Sequence, residues 1–158
     1  MLESLGFQNF DWQQIFTSLV QLTIAYALAF PIGWDRERGT RSAGLRTFPL
    51  VAMAACGFML TGISALQGDE AYGRVMYGII TGIGFIGGGA ILKSKGNVLG
   101  TATAASLWNT GAIGIAVAWQ VYEIALVLSL LNFATLRLMG PVKGMFKEGE
   151  AKIEQDRE

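Results

Sequence analysis

The ten residues Gly82–Ile91, GIGFIGGGAI, carry the spacing G-x-G-x-x-G, and their reading decides the fold. In a soluble α/β protein that spacing makes a loop that cradles a pyrophosphate, with a strand before it, a helix after it and an acidic residue about 20 positions on. Here only Ala90, Ile91 and Leu92 separate the last glycine from the lysine-containing stretch that begins at Lys93, and the next acidic residue is Glu123. The flanks say membrane instead. No Asp, Glu, Lys or Arg occurs in residues 75–92, a length close to the roughly 20 residues that a membrane helix needs.

The same pattern recurs along the chain. Residues 12–34, 47–68, 96–122 and 124–136 are also free of those four residue types, although the 158-residue chain is 15% charged. The expected fold is an all-α, polytopic membrane bundle of about five transmembrane helices, near residues 15–34, 48–66, 75–92, 102–118 and 121–139. The fifth works if Glu123 and Arg137 sit at its two ends, with Arg137 snorkelling to the interface. Only Trp119 and Gln120 lie between the fourth and fifth spans, so a tight turn is required there. Trp12, Trp34, Tyr72, Trp119 and Tyr122 fall at span ends, where amphipathic rings prefer to lie. Residues 1–140 form the transmembrane domain; residues 141–158 are expected to turn at Gly140-Pro141 and end as a short, charged, solvated cytoplasmic tail.

Positive charge sets the orientation. Eleven of the twelve Lys and Arg residues fall on one side of this arrangement and only Arg74 on the other, which places the N-terminus outside and the C-terminus in the cytoplasm. Histidine is absent and Cys56 is the single cysteine, which removes the Cys/His zinc spacings and the histidine-dependent nucleophile arrangements. No enzymatic role is expected. The net charge is zero and the basic residues hug the membrane, so nucleic acid is not an expected partner.

Three stretches could carry function. The first runs from Asp35 to Thr47, with Asp35, Arg36, Glu37, Arg38, Arg41, Arg46 and Thr47 as candidate ligand- or partner-binding residues. Thr47 can cap the second helix, and Pro49 is tolerated in its first turn. Arg46 then opposes the positive end of the helix dipole, so Asp35, Glu37, a lipid headgroup or a bound anion should compensate it. Mg²⁺ on the two carboxylates is the weaker alternative, because the segment's net charge is +2. The second is the glycine span. At about 100° per residue, Gly78, Gly82 and Gly89 share one stripe and Gly84, Gly87 and Gly88 lie across the helix, leaving Ile79, Ile83, Ile86 and Ala90 on a third side. Two close-packing faces and an isoleucine face toward lipid or a bulkier partner are expected, in preference to a helix broken at Gly87. The third is the span with Thr101, Thr103, Trp108 and Asn109. Thr101 can cap it, Thr101, Thr103 and Trp108 are assigned to helix packing, and Asn109 is either an interhelical bond or the lining of a polar cavity. Asn132 raises the same question in the fifth span.

Three blocks in order, GWDRERGTRSAGLRTFPLVAMAACG, GIITGIGFIGGGAIL and GTATAASLWNTGAIGIAVA, resemble the membrane domain of the MgtC/SapB family over roughly residues 15–140. Where that family often has His after the Arg-Thr pair, this chain has Phe48. The resemblance implies a bacterial inner-membrane protein linked to magnesium homeostasis, virulence or stress tolerance, acting either as a modulator of other membrane proteins, the ATP synthase among them, or as a Mg²⁺ transporter. It makes residues 35–47, 82–89 and 101–108 the signature segments. Larger members append a soluble ACT-like domain, which this chain is expected to lack. No cofactor is expected, with Mg²⁺ the one open possibility; a homo-oligomer, a dimer first, is the expected state.

Overall fold

The computed structural model describes residues 11–39, 43–94 and 97–155, with residues 39, 94, 97 and 140–155 described as backbone alone. Among these, five helices succeed one another: α1 (Trp12–Gly39), α2 (Thr47–Ala65), α3 (Asp69–Gly89), α4 (Thr101–Ala118) and α5 (Tyr122–Gln155). A two-stranded antiparallel hairpin, β1 (Leu92–Ser94) and β2 (Asn97–Leu99), joins α3 to α4 and pairs Leu92 with Leu99. The all-α membrane bundle is therefore as expected, apart from that hairpin. Three of the helices are long and apolar enough to cross a membrane: residues 12–38 of α1, all of α2, and residues 122–139 of α5.

α4 explains how less apolar helices belong in such a bundle. It packs against each of the other four helices, and Thr103, Ser106, Thr110, Gly111 and Gly114 along it are buried. Its small side chains let backbones approach, as interfaces in lipid require. A Cβ at Gly114 would come within 2.9 Å of Ala55 Cβ and 3.0 Å of the Cys56 nitrogen on α2, and would strike the Ala52 carbonyl. A Cβ at Gly111 would strike Ile83 of α3.

That last contact reverses the expected faces of α3. Ile79, Ile83 and Gly87 are its buried residues. A Cβ at Gly78, Gly82, Gly84, Gly88 or Gly89 would meet nothing within 4 Å, and Gly87 alone of the six approaches a neighbour, 3.2 Å from the Ala104 carbonyl oxygen. Within the chain Ile79 and Ile83 turn inward while Ile86 stays exposed, because α4 leaves room for Ile83 at Gly111. The helix runs unbroken through Gly87 and Gly88 to Gly89.

Helix ends bring further corrections. Arg46, not Thr47, occupies the N-cap of α2, and Gly100, not Thr101, that of α4; neither helix has a side-chain cap. Gly100 sits at φ 86° with no room for a Cβ against the Ala90 carbonyl, a backbone demand that only glycine meets. Pro49 is in the first turn of α2 as expected, and buried. The tight α4–α5 turn is present: Gln120 adopts φ 59°, its N–H bonds the Val117 carbonyl and that of Val121 the Ala116 carbonyl. This is the 5→2 and 6→1 pair that closes a helix with one left-handed residue. The expected stop at Gly140-Pro141 does not occur; α5 continues to Gln155, half of the added residues being the strong helix formers Lys, Glu, Ala and Met, which offset three glycines and Pro141.

Polar side chains inside the bundle bond across helices. Gln21 of α1 donates to the Val117 and Ala118 carbonyls of α4 at 3.2 and 3.4 Å. Ser106 donates to Asn132 Oδ1 at 3.0 Å, while Asn132 Nδ2 donates back to the Ser106 carbonyl at 3.4 Å. Ser129 of α5 donates to the Leu28 carbonyl of α1 at 2.6 Å. In hydrocarbon these partners replace the water each group would otherwise keep.

Candidate functional site at the basic end of the bundle

Arg36, Arg38, Arg46, Lys93 and Arg137 gather where α1 ends, α2 and the hairpin begin, and α5 leaves its apolar stretch. The close approach of Gly33 on α1 to the following segment fixes this end. A Cβ there would lie 3.1 Å from the Gly44 carbonyl oxygen and 3.4 Å from Phe48 Cβ. Phe48 is completely buried, so the position where a histidine was the alternative serves as a core anchor under the loop.

Both carboxylates of the segment are engaged. Asp35, its side chain 11% exposed, meets Arg36 Nη2 at 3.2 Å and, more loosely, Arg137 Nη1 of α5 at 3.9 Å. Arg137 is largely solvated, so that second contact orients more than it stabilises. Glu37 Oε2 accepts the Leu45 N–H at 2.9 Å. It lies where a Cβ of residue 44 would be, so Gly44 and Glu37 form a matched pair. Arg38 stacks on Trp34, with 5.1 Å from guanidinium carbon to ring centroid, at the end of an aromatic row through half-buried Phe30 to exposed Tyr26. Arg46 is exposed and has no acidic group within 4 Å among the described residues. Of the candidates in this segment, Arg41 lies outside the described residues.

This geometry answers the Mg²⁺ alternative. Residues two apart on a helix point to different sides, and Asp35 and Glu37 are directed to different partners. A cation shared between them would have to displace an arginine from one and a backbone N–H from the other.

The remaining candidates are dispersed. Asn109, half-buried on α4, donates to the Leu128 carbonyl of α5 at 3.3 Å, an interhelical bond and not the wall of a polar cavity. Thr103 is buried in the bundle, Thr101 is exposed at its end, and Trp108 is 56% exposed on its flank. The residues that knit the polar interior are Gln21, Ser106, Ser129 and Asn132. Their signal was available: each is a polar residue within a stretch free of charge.

The three signature blocks thus form one end of the bundle, its central helix and the helix seated on it. The sequence profile described as the MgtC family matches residues 22–145, which takes in all three. The chain belongs to the MgtC family. Protein SrpB of Synechococcus elongatus is 33% identical over 73% of this chain and 71% of its own length. Protein MgtC of Brucella abortus is 36% identical over 83% of this chain and 55% of its own length. YhiD of Escherichia coli K12, named as a candidate magnesium transporter, is 33% identical over 77% and 63%. The match therefore spans only about half to two thirds of the latter two relatives. No solved structure matches.

Proposed function

We propose that this MgtC-family membrane protein acts in the bacterial inner membrane, in adaptation to low magnesium and to the stresses of virulence, as a non-enzymatic modulator of other membrane proteins. One observation carries the reading: Gln21, Ser106, Asn109, Ser129 and Asn132 each bond to a group on a neighbouring helix, so within a single chain these side chains brace the bundle. The positive-inside bias puts the basic end in the cytoplasm. There Asp35 meets Arg36 and Arg137, Glu37 ties the end of α1 to Leu45, and Arg38 and Arg46 are exposed, a surface suited to an acidic partner. A rotary ATP synthase subunit is one membrane partner to test. Self-association, a dimer first, is part of the same proposal.

The second reading, transport of Mg²⁺ or another cation, is favoured by the name given to YhiD. Mg²⁺ dehydrates reluctantly and wants oxygen ligands along its way, which an oligomer would have to assemble from hydroxyl, amide and glycine carbonyl groups. Reconstitution in liposomes loaded with a Mg²⁺ indicator separates the two. The modulator reading expects flux equal to that of empty liposomes. Flux above that control establishes transport instead.

A further inference from the structure

Between α2 and α3 a groove of about 920 Å³ opens to the side of the bundle. The helices nearly touch at the far end, where a Cβ at Gly62 would lie 3.1 Å from Val75. The groove runs from there past Phe58, Ala54 and Leu50 to Arg46 at the basic end. Ala55, Ile79 and Ile83 make its buried floor, and α4 lies beneath them through the Gly114 and Gly111 contacts. On the α3 wall Gly78 and Gly82 supply no side chain at all. The groove's α2 wall runs from Arg46 to Leu66, about 30 Å at 1.5 Å per residue, close to the depth of a bilayer's hydrocarbon, and its α3 wall from Val75 to Ile86.

We propose that this groove is a binding site for one anionic phospholipid, whose acyl chains lie along α2 and α3 and whose phosphate sits on Arg46. The mouth is the reason. Arg46 stands at the N-cap of α2, where the helix dipole is already positive, so an arginine there calls for an anion. The two acids that could have supplied it are directed elsewhere, Asp35 to Arg36 and Arg137, Glu37 to the Leu45 N–H. Residues 40–42 contain no acid either. A positive group beside an apolar trench at membrane level matches an amphiphile with a negative head, the arrangement that basic pockets between membrane helices use for anionic lipids.

A second copy of the chain is the rival occupant. Two copies inserted the same way up and related by a two-fold axis through this groove would bring both Arg46 side chains to one membrane face at the seam. The like charges then repel unless an anion lies between them. A lipid supplies the missing charge and fills the trench in one molecule.

The test counts lipids retained by the purified full chain, released from nanodiscs of equal phosphatidylglycerol and phosphatidylcholine, by native mass spectrometry. The wild type is expected to keep one phosphatidylglycerol in preference to phosphatidylcholine. Arg46→Gln is expected to lower that preference about fivefold, the contribution of one basic residue near an anionic surface. Ala54→Trp and Gly82→Leu fill the groove from opposite walls and are expected to abolish retention of both lipids. Two variants are used so that misfolding of one, seen as a lost thermal transition, leaves the other to decide. Glycerophosphoglycerol, the headgroup without tails, is expected not to displace the lipid. Equal retention of the two lipids, unchanged in Arg46→Gln, overturns the proposal; so does displacement by the headgroup alone. A lipid-free wild-type dimer that Gly82→Leu converts to monomer also overturns it, and gives the groove to a second copy.

Discussion

Glu37 shows how a charged residue in a candidate site can be structural without losing its importance. Its carboxylate accepts the Leu45 N–H across a space that only a glycine at 44 leaves open. The Glu37→Ala variant removes an acceptor from a solvent-accessible backbone donor, so the expected loss is at the lower end for such a change, about 1 kcal/mol. Gly44→Ala is expected to be worse, about 1–3 kcal/mol, because the new Cβ must move the carboxylate and also lies 3.1 Å from Glu37 Cα. Glu37→Gln keeps an acceptor oxygen and is expected to stay near the wild type. Thermal unfolding in detergent reads all three; Gly44→Ala melting with the wild type would sink the paired arrangement. The clustering of Asp35 and Glu37 among arginines was legible in the sequence. Their partners were not, since one is a backbone N–H beyond a turn and another, Arg137, belongs to a different helix.

At the scale of the element, α3 and α4 exchange the roles that glycine content alone suggests. Six glycines in α3 announce close packing, and a helix in lipid does use small residues that way. What periodicity cannot say is which face the neighbour supplies with holes. α4 supplies one for α3 at Gly111, as it supplies one for α2 at Gly114, so α3 fits Ile83 into the bundle and turns most of its glycines outward. The two helices should therefore answer alanine oppositely. Gly114→Ala drives a Cβ into backbone atoms of α2 that have no freedom to yield, and a loss of about 1–3 kcal/mol or failure to fold is expected. Gly84→Ala meets nothing within 4 Å and gains up to about 1 kcal/mol of helix propensity. Chemical unfolding in micelles decides, and comparable losses at both positions would mean that the outward glycines of α3 are covered in the assembled protein. Such a result would itself support the proposed self-association. The helix boundaries had the same kind of limit: charge-free stretches located every span, but the α5 extension past Pro141 and the hairpin after α3 depend on local geometry that hydropathy does not encode.

For the molecule as a whole, the question is how α4, with threonine, serine and asparagine inside its span, comes to lie in a membrane bundle. α1, α2 and the first half of α5 are long and apolar enough to cross on their own composition. α4 carries two threonines and a serine among its buried residues, and Asn109 besides, groups that are costly in hydrocarbon without partners. In the folded bundle α1, α2, α3 and α5 surround it, and Gln21, Leu128 and Asn132 complete its hydrogen bonds. Its place is therefore a property of the assembly. Segments 47–65, 101–118 and 122–139, each tested singly in a membrane-insertion reporter, should separate accordingly. The first and third are expected to insert efficiently, and α4 to insert poorly alone but fully when α1–α3 precede it. Replacing Asn109 by Leu removes the most polar of its groups and should raise solitary insertion, while loosening the α4–α5 contact in the full chain, seen as a lower melting temperature. Solitary insertion of wild-type α4 equal to that of α2 would show that its composition suffices. The four surrounding helices would then determine only which neighbours α4 meets, and not whether it enters the membrane.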